Sequence, residues 1–124
     1  MGEWGVGMPA SLWLEEFGSQ VWSAFGYAPF LVGSVLTTTK WCDVDVRLIL
    51  PDEEYKALGL GEPAENLQRM NGKWVSLCLA YSALGKQMTG LPIDFQIQQM
   101  SFANEHHKGA RSALGIVPLR MTKE

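Results

Sequence analysis

The sequence has few cysteines, no long apolar run and no excess of positive charge. Cys42 and Cys78 are the only cysteines in 124 residues, and they show neither a CxxC spacing nor the density of a disulfide scaffold. Because both stand in apolar runs, we expect reduced cysteines in the core. No apolar run reaches the ~18 residues that a membrane-spanning helix needs, so no membrane partner is expected.

The charge balance limits the classes of partner. The net charge of −3 argues against a broad nucleic-acid surface, since phosphate contacts need clustered Lys and Arg, but it leaves room for a local basic groove. The first residues, MGEWGVGMPA, contain no cationic segment followed by an apolar one. We therefore expect no secretion signal and a cytoplasmic location.

The length of the chain allows one hydrophobic core and no second domain, given 47% hydrophobic residues. We expect a single domain over residues 1–124, with a core at about 9–99 and a tail, 100–124, whose structure the pattern leaves undefined. In that tail we expect a short helix around Ala103 to Leu114. We also expect an extended piece at 116–119, where Pro118 indicates an edge strand.

Hydrophobic periodicity alternates between the helical and the strand type along the chain. Helical spacing predicts a first helix over residues 9–26, and apolar runs at 28–32 and 42–50 predict two strands. A second long helix is predicted from residue 65, with Asn71-Gly72 as a candidate break and Gly85 or Gly90 as its end, and the alternation in LPIDFQIQ predicts a third strand. The apolar stripe expected to face the core in that second helix is Leu67, Met70, Trp74, Leu77, Tyr81 and Leu84. This order indicates an α/β (α+β) fold with a mixed sheet of three or more strands flanked by helices.

Aspartates stand on the polar faces of two predicted strands. Asp43 and Asp45 lie two residues apart, so their side chains share a face, and Asp94 occupies the polar face of the third strand. If these strands are neighbours, ~4.8 Å apart, the three carboxylates converge. Two carboxylates ~4 Å apart repel by about 4 kcal/mol at an effective dielectric of ~20, so such a cluster needs a cation. The alternative is a solvated acidic face with Arg47 as salt-bridge partner, or a turn-capping role for Asp94.

Magnesium suits a cluster of this kind. Mg²⁺ prefers oxygen ligands and is typically held by one or two carboxylates together with substrate phosphates. A pair of such ions stabilises both the attacking and the leaving oxygen of an in-line phosphoryl displacement. We therefore expect one or two Mg²⁺ ions at Asp43, Asp45 and Asp94.

A Gly-Ser pair follows the first predicted strand directly. Gly33 lets the backbone approach a ligand closely, and the hydroxyl of Ser34 can donate to a phosphate oxygen. The pair gains weight from its position, because it stands between a strand and the aspartate-bearing strand that comes next.

These motifs together resemble the nucleotidyltransferase superfamily that has the DNA polymerase beta-like fold, in particular its small "minimal" nucleotidyltransferases. The resemblance rests on Gly33-Ser34 after a strand, on D-V-D at 43–45 within a second strand and on P-I-D-F-Q at 92–96 within a third. It covers roughly residues 25–99.

The resemblance implies a function for each motif. Gly33 and Ser34 would hold the triphosphate of an NTP, and Asp43 and Asp45 would bind the metal. Asp94 would help to bind the metal near the acceptor and deprotonate the attacking hydroxyl. The implied reaction moves a nucleoside monophosphate from the NTP to a hydroxyl acceptor, which could be RNA, protein or a small molecule, and releases pyrophosphate.

The chain departs from the family pattern at one point that concerns charge. Many members read GSxARG after the strand, whereas residues 35–39 here, VLTTT, contain neither that Arg nor that Gly. Lys40 is one candidate for the missing positive charge, and a solvent-facing loop lysine is the alternative. His106 and His107, followed by Lys108 and Arg111, indicate a solvated turn, or a cluster that contacts a phosphate or the acceptor. Trp41 is the tryptophan near enough to the expected site to stack on a base.

Two other functions remain open from the sequence. The same fold could hold a nucleotide or a partner protein without turnover, or the acidic face could belong to a small interaction protein that has no ligand there. Since the tail is too short for an acceptor domain, self-association or a partner chain is also expected, with Trp4 or Trp13 as candidate contacts.

Overall fold

The computed structural model of the protein describes residues 5–115, which form four strands and five α-helices. In chain order the elements are α1 (Ala10–Phe25), β1 (Phe30–Val32), a 3₁₀ turn (Ser34–Leu36), β2 (Val44–Leu50), α2 (Asp52–Ala57), α3 (Glu65–Gln68), α4 (Gly72–Thr89), β3 (Ile93–Gln99), α5 (Met100–His106) and β4 (Arg111–Ala113). None of the helices in this part of the chain is long and apolar enough to cross a membrane.

The four strands form one mixed sheet in the order β3-β2-β1-β4. β2 and β3 are parallel, whereas β1 is antiparallel to both β2 and β4. The crossover from β2 to the parallel β3 runs through α2, α3 and α4, as a parallel connection requires. The α+β fold with a mixed sheet flanked by helices, predicted from the sequence, is confirmed.

One face of the sheet carries the hydrophobic core. The core residues of β2 and β3 alternate along each strand, as predicted, and are almost completely buried: Val44, Val46, Leu48, Ile93, Phe95 and Ile97. From α1, Phe17 packs its ring edge-on against Phe95, at 6.2 Å between ring centroids. Gly85 of α4 lies so close to Phe17 and Ile93 that a Cβ there would be 3.0 Å from each. Both long helices therefore cover this face.

The packing of α1 accounts for a glycine in the middle of the helix, which the sequence pattern does not explain. Gly18 stands in the middle of α1, where glycine costs about 1 kcal/mol relative to alanine. A Cβ at Gly18 would lie 2.5 Å from the Cβ of Leu114, so the glycine permits the chain after β4 to cross the helix closely. Glu15 fixes this crossing, since its carboxylate accepts a hydrogen bond from the Gly115 N–H at 2.7 Å.

Helix α4 begins and ends where its capping residues are found, but its buried stripe differs from the prediction. Asn71 caps the first turn by accepting from the Trp74 N–H, and Gly90 ends the helix in the left-handed conformation. The buried positions are Trp74, Cys78, Gly85 and Thr89. The predicted stripe was wrong at Leu67, Met70 and Leu84, which are all exposed. Leu67 lies on the separate helix α3 and Met70 lies between the two helices, so they do not share a helical phase with Trp74.

The tail contributes a strand that the sequence pattern did not predict. The helix expected around Ala103 to Leu114 is instead α5, which ends at His106, followed by β4, which pairs with β1. The extended piece expected at 116–119 and Trp4 lie outside the described residues. Trp13 is about half exposed on α1, next to an equally exposed Leu12.

The prediction that both cysteines are buried in the core is confirmed for one and wrong for the other. Both are free thiols, and Cys78 is buried in the core as expected. Cys42 is exposed, because β2 begins only at Val44 and leaves Cys42 in the preceding loop.

Within residues 5–115, no helix covers the opposite face of the sheet at the end where β2 and β3 begin. We call it the open face; its side chains, all half-buried, are Phe30, Val32, Asp45, Arg47, Asp94, Gln96, Arg111 and Ala113. Further along the same side, Ile49 and Gln98 are buried. The accessible part of this face is therefore the end of the sheet at which β2 and β3 begin.

Candidate functional site

The strand directions bring the predicted motifs to the same end of the sheet. β2 and β3 begin there because they are parallel, and β1 ends there because it runs the other way. Asp45 pairs with Asp94 on one side and with Val32 on the other. Gly33 follows Val32 directly, so the Gly-Ser turn lies beside the aspartates.

The structure brings Asp45 and Asp94 together on the open face. They stand directly opposite each other in the β2–β3 register, and their side chains are 28% and 42% exposed. Asp43 precedes β2 in an exposed position, and its charge acts on Asp45. Among residues 5–115, no three His, Cys, Asp or Glu side chains lie close enough together, as they stand, to hold a metal ion.

The side chain of Arg47 reaches from β2 towards β3 and pairs with both aspartates. Its Nη2 is 3.3 Å from Oδ2 of Asp94 and 3.7 Å from Oδ1 of Asp45. Its Nη1 donates to the backbone carbonyls of Asp94, at 2.6 Å, and of Val46, at 3.2 Å. Only 14% of the Arg47 side chain is exposed, and its guanidinium is held by residues of β2 and β3. The salt bridge that the sequence suggested as an alternative is therefore present.

The electrostatics at Asp45 disfavour its ionised form. Burial raises the pKa of Asp45 and is the largest effect. The guanidinium of Arg47 acts in the opposite direction, and the charges of Asp94 and Asp43 raise the pKa further. Because the raising effects prevail, Arg47 only partly compensates the cost of an anion at this position. An additional cation would favour the ionised carboxylate.

Gly33 is required at its position by both its backbone and its neighbour. Its φ of 83° and ψ of −162° fall in a region that glycine alone occupies with ease. A Cβ at this position would lie 2.6 Å from Oδ2 of Asp45. The turn therefore fits closely around the carboxylate. Ser34 opens the 3₁₀ turn, and its exposed side chain makes no hydrogen bond to the described residues.

A cavity of about 300 Å³ opens beside the aspartate pair on the open face. It is lined by Val32, Gly33, Arg47, Gln96, His107, Gly109, Ala110 and Arg111. Its volume is at the lower end of the range for ligand sites, so it would hold part of a nucleotide and not the whole molecule. Its charged side chains are cationic, which suits an anionic ligand.

A second cavity, of about 220 Å³, lies on the other side of Asp94, between β3 and α4. Asp94 and Gln96 line it from the strand, while Trp74, Leu79 and Ser82 are among its residues from the helix. Gln96 also lines the first cavity, so this residue of β3 lies between the two cavities. Asp94 is thus accessible from a pocket distinct from the cationic one.

Three residues singled out from the sequence lie elsewhere. Lys40 is exposed in the loop before β2 and does not line the first cavity. The indole N–H of Trp41 donates to the carbonyl of Gly5 at 2.8 Å, which ties it to the N-terminal segment. His106 stacks on Phe102, at 4.2 Å between ring centroids. His107, by contrast, lines the first cavity.

Sequence reasoning missed Gln96 and the bridging position of Arg47 at this site. Arg47 and Gln96 stand two residues after Asp45 and Asp94, so strand periodicity contains the signal for both. Arg111 was singled out only with the histidine cluster before it, and its place on a strand was missed because a helix was predicted there.

The comparisons with known proteins found no relative of this chain. Neither the protein-family models, nor the curated proteins, nor the solved structures contain a match to this chain.

Proposed function

We propose that the protein is a Mg²⁺-dependent nucleotidyltransferase, which moves a nucleoside monophosphate from an NTP to a hydroxyl acceptor and releases pyrophosphate. The observation that carries this proposal is the direct pairing of Asp45 with Asp94 on an open sheet face, with the Gly33 turn fitted against the Asp45 carboxylate. A glycine turn, two carboxylates and a cationic cavity at one end of a sheet are the parts that phosphoryl transfer needs.

The donor set of the site fits magnesium. Asp43, Asp45 and Asp94 offer only carboxylate oxygens, which this hard ion prefers. Burial raises the pKa of Asp45 despite the nearby Arg47, so a bound cation would stabilise its ionised form. Asp45 and Asp94 would hold the ion, and Asp43, exposed in the loop before β2, would have to move towards them to complete the set. When bound, magnesium would offset negative charge on the phosphates and on the leaving group.

The protein's own residues would divide the work between the two cavities. Gly33 would contact the triphosphate in the first cavity, where Arg47 also contributes N–H donors, and the exposed Ser34 would reach it from the adjoining turn. We assign the acceptor to the second cavity, because Asp94 lines it. Asp94 would take the proton of the acceptor hydroxyl while the hydroxyl oxygen attacks the α-phosphorus. The bond between the α-phosphorus and the oxygen that bridges to the β-phosphate would break, and pyrophosphate would leave.

Pyrophosphate release tests the proposal. Each NTP would be incubated with Mg²⁺ and a cell extract that supplies acceptors, with wild type, Asp45→Asn or Asp94→Asn protein. We expect release from the wild type and at least a hundredfold loss in both variants, as is usual when a metal ligand or a general base is removed. Glu54→Gln makes the same change of charge on the exposed surface of α2 and serves as the matched control.

The outcomes separate the three functions that the sequence leaves open. Release that depends on Asp45 and Asp94 but not on Glu54 supports the transferase. Binding of Mg-NTP that depends on the same aspartates, without release under any condition, would replace it with a nucleotide-binding module. Absence of any magnesium-dependent nucleotide binding would leave the interaction protein as the better description.

A further inference from the structure

We propose that Arg111, together with His107, forms the polyphosphate-binding wall of the first cavity, and that this wall supplies the positive charge absent from the loop after Gly33. The inference rests on the proposed function for the identity of the ligand, the triphosphate of an NTP. The site itself is argued from the geometry of β4 and the loop before it.

The sheet register puts Arg111 beside the glycine turn. β4 pairs with β1 so that Arg111 stands opposite Val32, the residue immediately before Gly33. Val32 in turn pairs with Asp45, so Arg111, Val32, Asp45 and Asp94 form one row across the open face. Arg111 at one end of this row therefore lines the same cavity as Gly33 and lies two strands away from Asp45.

The charge of Arg111 is not compensated within the described part of the chain. No carboxylate of residues 5–115 forms a salt bridge with it, whereas Arg47 pairs with two. The one hydrogen bond from its guanidinium goes to the His107 carbonyl, at 3.2 Å. Since a guanidinium carries five N–H donors, four remain for an anion, and their planar arrangement suits two phosphate oxygens at once.

The loop that precedes β4 completes the wall. His107, Gly109 and Ala110 line the cavity together with Arg111, and a Cβ at Gly109 would meet no atom within 4 Å. The backbone on this side is therefore open to a ligand. A cavity of about 300 Å³ accommodates a triphosphate and leaves the nucleoside outside, so binding should depend on the phosphates and little on the base.

Binding of inorganic tripolyphosphate, followed by calorimetry, tests the inference without requiring turnover. We expect Arg111→Gln to weaken tripolyphosphate binding by roughly tenfold to a hundredfold, the usual loss for a hydrogen bond to a charged group. The affinity of Arg111→Lys should lie between those of the wild type and Arg111→Gln, because lysine keeps the positive charge and lacks the planar set of N–H donors. Lys86→Gln removes one positive charge from the exposed surface of α4 and should leave the affinity within twofold.

The results distinguish this inference from the proposed function. Equal binding by the wild type and Arg111→Gln, or no binding by the wild type, overturns the inference even if pyrophosphate release is observed. Loss of tripolyphosphate binding in Arg111→Gln supports it, even if no protein releases pyrophosphate from an NTP. Should Arg111→Gln fail to fold, Arg111→Lys and His107→Gln carry the test, and unchanged affinity in both overturns it.

Discussion

Replacing Gly33 with alanine should destabilise the protein by an amount that can be divided into two parts. The first part is the backbone, because φ of 83° with ψ of −162° is a conformation that other residues adopt only under strain. The second is steric, because the new Cβ would lie 2.6 Å from Oδ2 of Asp45. Asp45 would have to rotate away from Arg47, with which it is paired at 3.7 Å.

The expected magnitude follows from these two parts. A residue held in this backbone region costs about 1–3 kcal/mol. Breaking the half-buried ion pair adds up to about 1 kcal/mol. The free energy of unfolding should therefore fall by about 1–4 kcal/mol. For a chain of this length each kcal/mol lowers the melting temperature by about 4 °C, so the expected decrease is about 4–16 °C.

Two further variants separate the parts in urea unfolding experiments. Gly26→Ala also forces a positive φ, 84°, but its Cβ would meet no atom within 4 Å, so it should cost only the backbone term of about 1–2 kcal/mol. In an Asp45→Ala background the clash disappears, and Gly33→Ala should cost about 1 kcal/mol less than it does in the wild type. If Gly33→Ala were no worse than Gly26→Ala, and showed no coupling to Asp45, the close fit between turn and carboxylate would be refuted.

Three other predictions concern the same sheet and its neighbours. Because burial raises the pKa of Asp45, the stability it contributes below about pH 4 is lost as the pH rises through that raised value. Asp45→Asn should therefore be at least as stable as the wild type at pH 7, and urea unfolding that found it weaker there would contradict this. Gly18→Ala should destabilise by about 1–3 kcal/mol despite the gain in helix propensity, since its Cβ would lie 2.5 Å from that of Leu114; a neutral result in thermal unfolding would disprove the tight crossing. A disulfide reagent should modify Cys42 rapidly and Cys78 only on unfolding, because burial raises the pKa of Cys78 to about 11; two fast thiols per chain would be inconsistent with the fold.

Strand periodicity was sufficient to predict the central part of the site. The alternation around Asp45 and Asp94 assigned both side chains to polar faces, and the side-by-side arrangement of β2 and β3 then brought them opposite each other. The positions of the three long elements around them, α1, α4 and β3, also follow from periodicity and capping glycines. These features are local or repeat over many residues, which is why single-sequence reasoning detects them.

The features that were missed depend on contacts between distant parts of the chain. β4 has three residues, too few for an alternating pattern, and it forms only because β1 offers an unpaired edge. The exposure of Cys42 depends on where pairing with β3 begins, and the Ile93–Val44 pair marks that point. The crossing at Gly18 requires knowing that Leu114 returns to α1. None of these contacts leaves a periodic signal in the sequence.

The composition of the open face bears on the choice between a reactive site and an inert acidic surface. An inert surface would be more stable with a neutral residue at position 45, because burial opposes the charge of Asp45 and Arg47 compensates it only in part. The same carboxylate leaves no room for a Cβ at position 33, which is therefore restricted to glycine. A half-buried charge that is compensated only in part and a position restricted to glycine, both at one end of the sheet beside a cavity with two arginines, are the pattern expected where activity is retained at the expense of stability. The stability of Asp45→Asn is therefore informative about function: a variant that gains stability and loses magnesium-dependent nucleotide binding would favour the transferase over the inert surface.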